Sequence, residues 1–269
     1  MAADWKALRI TNLGKRFERG PMILQDIKLT LMRGGFLCVL GPSGSGKSTL
    51  VDLVAGFEQP TSGSIAYDDR LITGPGPDRV VIFQDISNAL FPWLTVIENV
   101  EFGLKKVVPV REKRRGIAEA ALVTVGLAED RNKFPSELSG GMKQRVQIAR
   151  GLVMDPQILI MDEPFAALDA ITRRRMQYEL KRLWRETGKT IIFVTHDISE
   201  ALILATDIAV MSGGPEARIL ETFQPGLPDS VRPESAEFIA VYRRIEALID
   251  APGATSAGNE RAGAVPGHD

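Results

Sequence analysis

The stretch GPSGSGKST at residues 41–49 combines glycines, hydroxyl side chains and a lysine in the pattern G-x-x-x-x-G-K-[ST]. Glycines let such a loop wrap so that successive backbone amides converge on phosphate oxygens, and the positive end of a following helix adds to the attraction. Lys47 offers a point charge to β- and γ-phosphates, and the Ser48 hydroxyl can ligate Mg²⁺. Because an apolar run precedes this loop and a helical pattern follows it, the sequence predicts a phosphate-binding loop between a strand and a helix.

A pair of adjacent acids follows the apolar run ILIM at residues 158–161. Adjacent side chains of an extended strand point to opposite sides, so we expect Asp162 and Glu163 to have separate tasks. Asp162 is the candidate for the Mg²⁺ shell, and Glu163 is the candidate for the group that orients and deprotonates a water. The simpler alternative is that both acids cap the helix that follows.

His196 ends a further apolar run, TIIFVT at residues 190–195. A lone histidine at such a position is more often structural than functional. In a doubly wound sheet, however, His196 would lie at the same edge as the phosphate-binding loop and the two acids, where such folds place their ligands. Together these features predict a Mg²⁺-dependent nucleoside triphosphatase.

The stretch LSGGMKQRVQIAR at residues 138–150 also offers backbone amides to an anion. A serine and two glycines stand at the start of its helical pattern, where amides lack partners within the helix. An apolar stripe runs along this helix and consists of Met142, Val146, Ala149 and Val153. The polar side chains that lie off the stripe are Lys143, Gln144, Arg145 and Arg150. These residues alone do not identify the anion.

The remaining chain alternates between short apolar runs and helical patterns. Apolar runs predict strands at 8–14, 24–31, 35–41, 63–69, 79–83, 157–162 and 190–196, and two closing strands within 207–223. Helical patterns occur at 47–57, through most of 88–155, at 168–188 and at 235–250. The runs that do not alternate are typical of parallel strands covered by helices. The triple arginine 173–175 is interpreted as a solvated face.

Composition limits the class of protein. The 33 basic and 34 acidic residues give a net charge of −1, so no overall field draws the chain to nucleic acid or to an anionic membrane. The single cysteine, Cys38, predicts strand packing in a reducing compartment. Without an apolar run near the roughly 18 residues of a membrane span, or a signal peptide, we expect a cytosolic protein. We expect one domain at 1–250 and a disordered tail at 251–269.

The order of these motifs resembles that of the ATP-binding subunits of ABC transporters, and the resemblance covers residues 8 to about 248. The motifs in the family's order are the phosphate-binding loop, IFQD around Gln84, LSGG at 138–141, ILIMDEP at 158–164, ALD at 167–169 and VTHD at 194–197. The resemblance implies an α/β fold with a P-loop NTPase core and a mostly parallel sheet. It also implies an N-terminal antiparallel β subdomain and an inserted α-helical subdomain at about 88–155.

The resemblance implies how the subunit would hold its own ATP. Phe17 would stack on adenine, although an ordinary core phenylalanine is the alternative. Gln84 would reach Mg²⁺ and the attacking water, Glu163 would be the base and His196 would contact the γ-phosphate, with Lys47 as a further catalytic group. The residues that would cradle the phosphates are Gly41, Pro42, Ser43, Gly44, Ser45, Gly46, Lys47, Ser48 and Thr49.

In this family, two subunits sandwich two ATP molecules in a head-to-tail dimer. The resemblance therefore implies that Ser139, Gly140 and Gly141 close on the γ-phosphate held by a second subunit. It also implies that Asp169 reaches across the dimer. Met142 stands where many members carry glutamine. Because the contacts come mainly from the serine, the glycines and backbone amides, we expect activity to survive this difference.

The segment FPWLTVIENV at 91–100, with LSGGMKQR and a short C-terminal helix, resembles the nitrate, sulfonate and taurine group of bacterial importers. The resemblance implies that residues 91–94 lie near the groove that receives a helix of the membrane permease; a buried turn is the alternative. Implied partners are a second ATPase subunit, permease subunits and, indirectly, a solute-binding protein, at the inner face of the cell membrane. Alternatives are the ATPase of a lipid-trafficking or export system, or a soluble ABC ATPase that acts on ribosomes or DNA.

Overall fold

The computed structural model describes residues 6–18, 20–84, 89–228 and 231–251. The predicted disordered tail lies outside these residues except for Ala251. The strands in the described ranges are β1 (Lys6–Arg16), β2 (Met22–Met32), β3 (Phe36–Leu40), β4 (Ser62–Tyr67), β5 (Arg70–Leu71), β6 (Arg79–Ile82), β7 (Ile158–Asp162), β8 (Thr190–Thr195), β9 (Asp207–Met211) and β10 (Ile219–Phe223). The α-helices are α1 (Lys47–Ala55), α2 (Val96–Glu101), α3 (Arg111–Thr124), α4 (Gly140–Leu152), α5 (Ala170–Thr187), α6 (Ile198–Leu204) and α7 (Ala236–Asp250). Short 3₁₀ helices lie at Phe102–Lys106, Ala128–Asp130 and Pro135–Glu137.

The larger sheet has the strand order β10-β9-β3-β8-β7-β6. β10 pairs antiparallel with β9, and the other neighbours pair in parallel. Because β3, β6, β7 and β8 run in one direction, their carboxyl ends meet at one edge of the sheet. The phosphate-binding loop, Gln84, Glu163 and His196 come just after those four strand ends. The topology therefore brings the motifs of the sequence to one place.

The smaller sheet has the order β2-β1-β4-β5, and its neighbours all pair antiparallel. Along β2, the side chains of Ile27, Leu29 and Leu31 are buried, whereas Lys28 and Thr30 are exposed. This alternation is the one predicted for a half-buried strand. The predicted α/β fold, with a mostly parallel sheet and an antiparallel β subdomain in the N-terminal part of the chain, is confirmed.

Buried side chains form two cores, one on each face of the larger sheet. Phe36, Cys38 and Leu40 of β3 pack into the core on one face together with residues of α5, α6 and α7. Leu37 and Val39, which point the other way, pack with α1 and the smaller sheet. The prediction that Cys38 is a packing residue is confirmed, since its side chain is fully buried.

Helices α2, α3 and α4 lie between β6 and β7 and pack against one another. In α4, the predicted apolar stripe is confirmed, because Val146, Ala149 and Val153 are buried. Gln144 is predicted to lie off this stripe, and its side chain is nevertheless fully buried. The reason is that α4 contacts α2, α3, α5 and β6, so that more than one side of the helix is covered.

Helix α6 is absent from the elements predicted by sequence. It has seven residues, ISEALIL, and so short an apolar run does not distinguish a helix from a strand. The helix begins because Asp197 caps it: its Oδ1 accepts hydrogen bonds from the amides of Ser199 at 2.8 Å and Glu200 at 3.3 Å. Among the described residues, no helix has the length and apolar character that crossing a bilayer requires.

Candidate active site

The phosphate-binding loop connects the end of β3 to the start of α1. Gly44 and Gly46 adopt left-handed backbone conformations, with φ of +78° and +81°. A Cβ at position 46 would also lie 2.7 Å from Cδ2 of Leu24, so glycine is required there for space as well as for conformation. The loop thus places the amide groups at the start of α1 beside a solvent-filled cavity.

Lys47 is 5% exposed, and its ammonium is held by the loop itself. Nζ donates hydrogen bonds to the carbonyl oxygens of Gly41 and Pro42, both at 2.9 Å. Nζ also lies 3.8 Å from Oε1 of Glu163. Burial lowers the pKa of Lys47, and the charges of Glu163 and Asp162 oppose that shift. The ammonium therefore lies between the loop carbonyls and the acid pair.

Asp162 ends β7, and the side chain of Ser48 in α1 lies close to its carboxyl. Burial raises the pKa of the Asp162 carboxyl, and the nearby Ser48 hydroxyl acts in the opposite direction. A hydroxyl and a carboxylate are oxygen ligands of the kind that Mg²⁺ prefers. Gln84, just after β6, lines the same cavity as Ser48 and could add an amide oxygen. The residues present therefore fit a Mg²⁺ ion.

Glu163 has other partners than Asp162, as the sequence predicts, but for a different reason. It lies outside β7 and has a left-handed backbone with φ of +44°, so a turn and not the strand pleat sets its direction. Its amide donates to the Val194 carbonyl at 3.0 Å, and its Oε2 lies 3.1 Å from Nδ1 of His196. The alternative that the acid pair caps the next helix is wrong, because Asp169 caps α5.

The cavity beside the phosphate-binding loop has a volume of about 570 Å³. Sequence reasoning finds the part of its lining that comes from the loop, Gln84 and Glu163. It misses five residues that complete the wall, namely Pro21, Met22, Ile23, Gly214 and Pro215. Backbone hydrogen bonds from Glu216 to Met22 and from Ala217 to Ile23 bring these distant segments together. No local pattern in the sequence signals such a long-range contact.

Phe17 follows the end of β1, and its side chain is 42% exposed. The alternative that it is an ordinary core phenylalanine is therefore wrong. Nζ of Lys15 lies 4.5 Å from the centroid of the Phe17 ring, and it also contacts Glu58 Oε2 at 2.8 Å. A cation near an aromatic face is attracted to it. Phe17 is thus an exposed aromatic side chain outside the lining of the cavity.

Ser139 caps α4, and its Oγ accepts a hydrogen bond from the Met142 amide at 3.3 Å. Ser139 and Gly140 are exposed, whereas Gly141 is buried and a Cβ there would lie 2.8 Å from Cγ2 of Thr172. The small residue lets the start of α4 approach the start of α5. Ser139 and Asp169 both lie outside the lining of the cavity described above. The structure therefore does not bring them to the phosphate-binding loop of the same chain.

The interpretation of residues 173–175 as a solvated face is wrong for Arg173. Its Nη2 donates to the Leu168 carbonyl at 2.9 Å, and its Nε donates to the Phe165 carbonyl at 3.4 Å. Both carbonyls belong to the loop that connects Glu163 to α5. Arg174 and Arg175 are exposed, as predicted. One arginine of the three therefore holds a loop of the candidate active site.

A second cavity of about 420 Å³ lies between β6 and the helical region. Its lining is largely apolar and includes Phe83, Phe102, Met154 and Arg150. Trp93, which is 70% exposed, packs on Phe91 with ring centroids 5.6 Å apart. The alternative that residues 91–94 form a buried turn is therefore wrong. We call this cavity and its aromatic rim the helical-side groove.

Comparisons with known proteins show which family the chain belongs to. The family described as ABC transporter matches residues 24–166. The bicarbonate transport ATP-binding protein CmpD of Synechocystis sp. is 47% identical over 80% of this chain and 77% of that protein. The nitrate import ATP-binding protein NrtD of Synechococcus elongatus is 46% identical over 79% of this chain and 78% of that protein. The taurine import ATP-binding protein TauB of Yersinia pestis is 47% identical over 77% of this chain and 80% of that protein.

Solved structures give the same result. The chain matches cbiO1 from Clostridium perfringens, part of the ABC transporter complex cbiONQ, with a TM-score of 0.77 and 29% identity over 90% of this chain and 99% of that one. It matches the ATP-binding cassette MJ0796, a dimer in a post-hydrolysis state bound to ADP and Pi, with a TM-score of 0.68 and 31% identity over 81% and 98%. From its sequence relatives and its fold, the chain belongs to the ABC transporter family as an ATP-binding subunit.

Proposed function

We propose that this chain hydrolyses ATP to drive the import of a small anion through a separate membrane permease in bacteria. The observation that carries the hydrolysis is the position of the Glu163 carboxylate, 3.1 Å from His196 and 3.8 Å from Lys47 beside the phosphate-binding loop. The proposal of import rests on relatives that are ATP-binding proteins for bicarbonate, nitrate and taurine transport. All three solutes are small and carry a negatively charged group.

The phosphates of ATP would lie along residues 41–49, with the adenine ring against Phe17. Lys47 would exchange its bonds to the loop carbonyls for bonds to phosphate oxygens, since it is one of the residues that line the cavity. Ser48, Asp162 and Gln84 would hold Mg²⁺, which neutralises charge on the phosphate oxygens when bound.

Glu163 is the group that would activate water. Its carboxylate orients a water at the end of the phosphate chain and accepts a proton as the oxygen attacks. His196 holds that carboxylate in place and would contact the γ-phosphate from the adjacent strand end. Lys47 balances the charge that develops on the phosphate oxygens. Lys47, Glu163 and His196 thus reach the site from the ends of three different strands, β3, β7 and β8.

The second half of each nucleotide site would come from another copy of the chain. Ser139, Gly140 and Asp169 are exposed and lie away from the cavity of their own chain. The Ser139 oxygen accepts from the Met142 amide, which leaves its hydroxyl proton able to donate to a phosphate oxygen. A helix start contributes about 0.3–1 kcal/mol toward an anion, enough to make dimer closure depend on the γ-phosphate without binding ATP by itself.

The helical-side groove is the proposed contact with the permease. Its apolar lining and aromatic rim fit a short helix of the membrane subunit. Arg150 donates to the Ala89 carbonyl and lies 5.1 Å from the Phe91 ring, and burial lowers its pKa. Within the described ranges it has no carboxylate partner, so an acidic residue on the permease helix would complete the contact. The chain would then lie at the inner face of the cell membrane.

Purification of the full chain from bacterial membranes tests this proposal. We expect a protein with several membrane spans to copurify, and we expect the isolated complex to hydrolyse ATP in the presence of Mg²⁺. The cargo class is tested on the associated solute-binding protein, which the right small anion should stabilise against heat. Recovery of ribosomes or DNA without a membrane protein would contradict the proposed function.

A further inference from the structure

Glu200 is a buried carboxyl group without a role in the hydrolysis proposed above. It belongs to α6 and is 5% exposed. Its Oε2 accepts a hydrogen bond from the Thr195 hydroxyl at 2.6 Å, and its Oε1 accepts one from Nε2 of Gln177 at 3.3 Å. Nε of Arg173 lies 4.0 Å from the same Oε1. A carboxyl group buried this deeply is costly unless its oxygens are bonded, so these partners fix its position.

Thr195 connects Glu200 to the backbone around His196. Its hydroxyl donates to Glu200 and also accepts a hydrogen bond from the Asp197 amide at 3.0 Å. One oxygen therefore ties together the residues on both sides of His196. The His196 side chain is 55% exposed, so packing does little to hold its ring. The direction of the ring depends mainly on this backbone and on the contact with Glu163 at 3.1 Å.

Arg173 connects the same cluster to the loop that carries the acids. Its guanidinium donates to the carbonyls of Phe165 and Leu168, while lying 4.0 Å from Glu200 and from Oδ2 of Asp197. The loop held in this way follows Glu163 and ends at Asp169. The cluster of Glu200, Thr195 and Arg173 is thus bonded to both loops that end at the candidate active site.

We propose that Glu200 is a positioning residue. Through Thr195 and Arg173, it fixes the position of the loop at His196 relative to the loop from Glu163 to Asp169. The hydroxyl of Thr195 transmits this effect to His196, because it is bonded to both Glu200 and the Asp197 amide. The effect on turnover rests on the proposed ATP hydrolysis. The effect on the His196 ring does not, so the two can be tested separately.

The first test follows the ring of His196 by NMR in the full chain, which contains just one other histidine, His268, as an internal reference. Thr195→Val and Glu200→Leu should move the His196 ring signals, while Thr195→Ser should leave them unchanged. Thr190→Val is the matched control, because Thr190 is a buried hydroxyl at the other end of β8 that accepts from the Gly34 amide. Unchanged His196 signals in Thr195→Val would overturn the proposal, whether or not Glu200→Leu folds.

The second test measures turnover and ATP affinity in the same variants. Thr195→Val should lower kcat by about 10-fold or more, as expected from a small misplacement of a reacting group, with little change in the Kd for ATP. Thr195→Ser should restore kcat, and Thr195→Val should have no further effect in a His196→Ala background. If Thr195→Val lowered kcat by the same factor in the His196→Ala background as in wild type, the proposal would be overturned. Wild-type chain without any ATP hydrolysis would contradict the proposed function instead, and the ring signals would still decide the positioning role.

Discussion

Nδ1 of His196 lies 3.1 Å from Oε2 of Glu163, although the two residues are 33 positions apart in the chain. The other carboxylate oxygen of Glu163 lies 3.8 Å from Nζ of Lys47. One carboxylate thus has an imidazole on one side and an ammonium on the other. Glu163 has a left-handed backbone, which is a strained conformation for a residue other than glycine. The hydrogen bond from its amide to the Val194 carbonyl holds this conformation in place. Strain held by neighbouring strands in this way is typical of a functional residue.

The Glu163→Gln variant should bind ATP and hydrolyse it at least about 100-fold more slowly, as expected when a general base is lost. The amide has nearly the size of the carboxylate but is a much weaker base. Phosphate release and ATP affinity, measured on the same preparation, separate the two effects. Glu179→Gln is the control, because Glu179 pairs with Arg145 and Arg175 away from the cavity. Near-normal turnover in Glu163→Gln would rule out Glu163 as the base.

The Ser139→Arg variant should bind ATP as a monomer but should not form the ATP-driven dimer. Ser139 lies outside the cavity of its own chain, so the Kd for ATP should change by less than about threefold, or ~0.7 kcal/mol. Sedimentation of the Glu163→Gln protein with ATP, with and without Ser139→Arg, measures the dimer. Ser136→Arg adds the same charge to another exposed position nearby and should leave dimerisation intact. A large loss of ATP affinity in the monomer would contradict the assignment of Ser139 to a second subunit.

Most of the candidate site could be predicted because local patterns carry it. The phosphate-binding loop, the acid pair and His196 each end an apolar run, and parallel strands bring such ends to one edge. Residues 21–23 and 214–215 could not be found in this way, because they reach the cavity through long-range backbone pairing. The burial of Gln144 and the contacts of Arg173 could not be predicted for a related reason. Helix α4 is covered on several sides, and the partners of Arg173 lie in the loop before α5 and in α6, so a pattern along one helix does not show them.

The direction of Glu163 is a further case in which a correct expectation had the wrong cause. Strand alternation predicts that adjacent acids diverge, and Asp162 and Glu163 do have different neighbours, Ser48 for the first and His196 for the second. The strand ends at Asp162, however, and a left-handed turn directs the second acid. Helix α6 is an element that the sequence does not predict at all. Its seven residues mix apolar and polar side chains without a clear period, and such a pattern does not predict a helix.

The Trp93→Ala variant should weaken binding to the permease by about 10-fold or more, in the range of an exposed aromatic hot spot. Trp93 is 70% exposed beside the helical-side groove and contacts Phe91, so little of its indole is used within the chain. Binding to membranes that contain the permease, compared for wild type and variant, measures the effect. Hydrolysis by the isolated chain should not change. Tyr178→Ala, an exposed aromatic residue on α5, is the control, and equal losses in both variants would contradict the assignment of the groove.

The Glu200→Gln variant should become more stable relative to wild type as the pH rises. Burial raises the pKa of the Glu200 carboxyl above 4.5, and the charge of Asp197 adds to that shift; hydrogen bonds from Thr195 and Gln177 and the charge of Arg173 oppose it. A carboxyl whose pKa is higher in the folded than in the unfolded state stabilises the fold below the unfolded pKa. That stability is lost as the pH rises through the folded pKa. The glutamine side chain does not titrate, so its contribution to the stability of the fold does not change with pH.

Thermal unfolding of both proteins from about pH 4 to pH 8 at constant ionic strength measures this difference. The Tm of Glu200→Gln minus that of wild type should increase with pH and level off above the folded pKa of Glu200. Glu98→Gln should give the opposite slope, because hydrogen bonds from Thr95 lower the pKa of Glu98, so that wild type gains stability as this carboxyl ionises. If the Tm of Glu200→Gln minus that of wild type fell with pH instead, the hydrogen bonds from Thr195 and Gln177 and the charge of Arg173 would outweigh burial in their effect on the pKa of Glu200. In that case Glu200 would be held as a carboxylate that stabilises the fold in its ionised form.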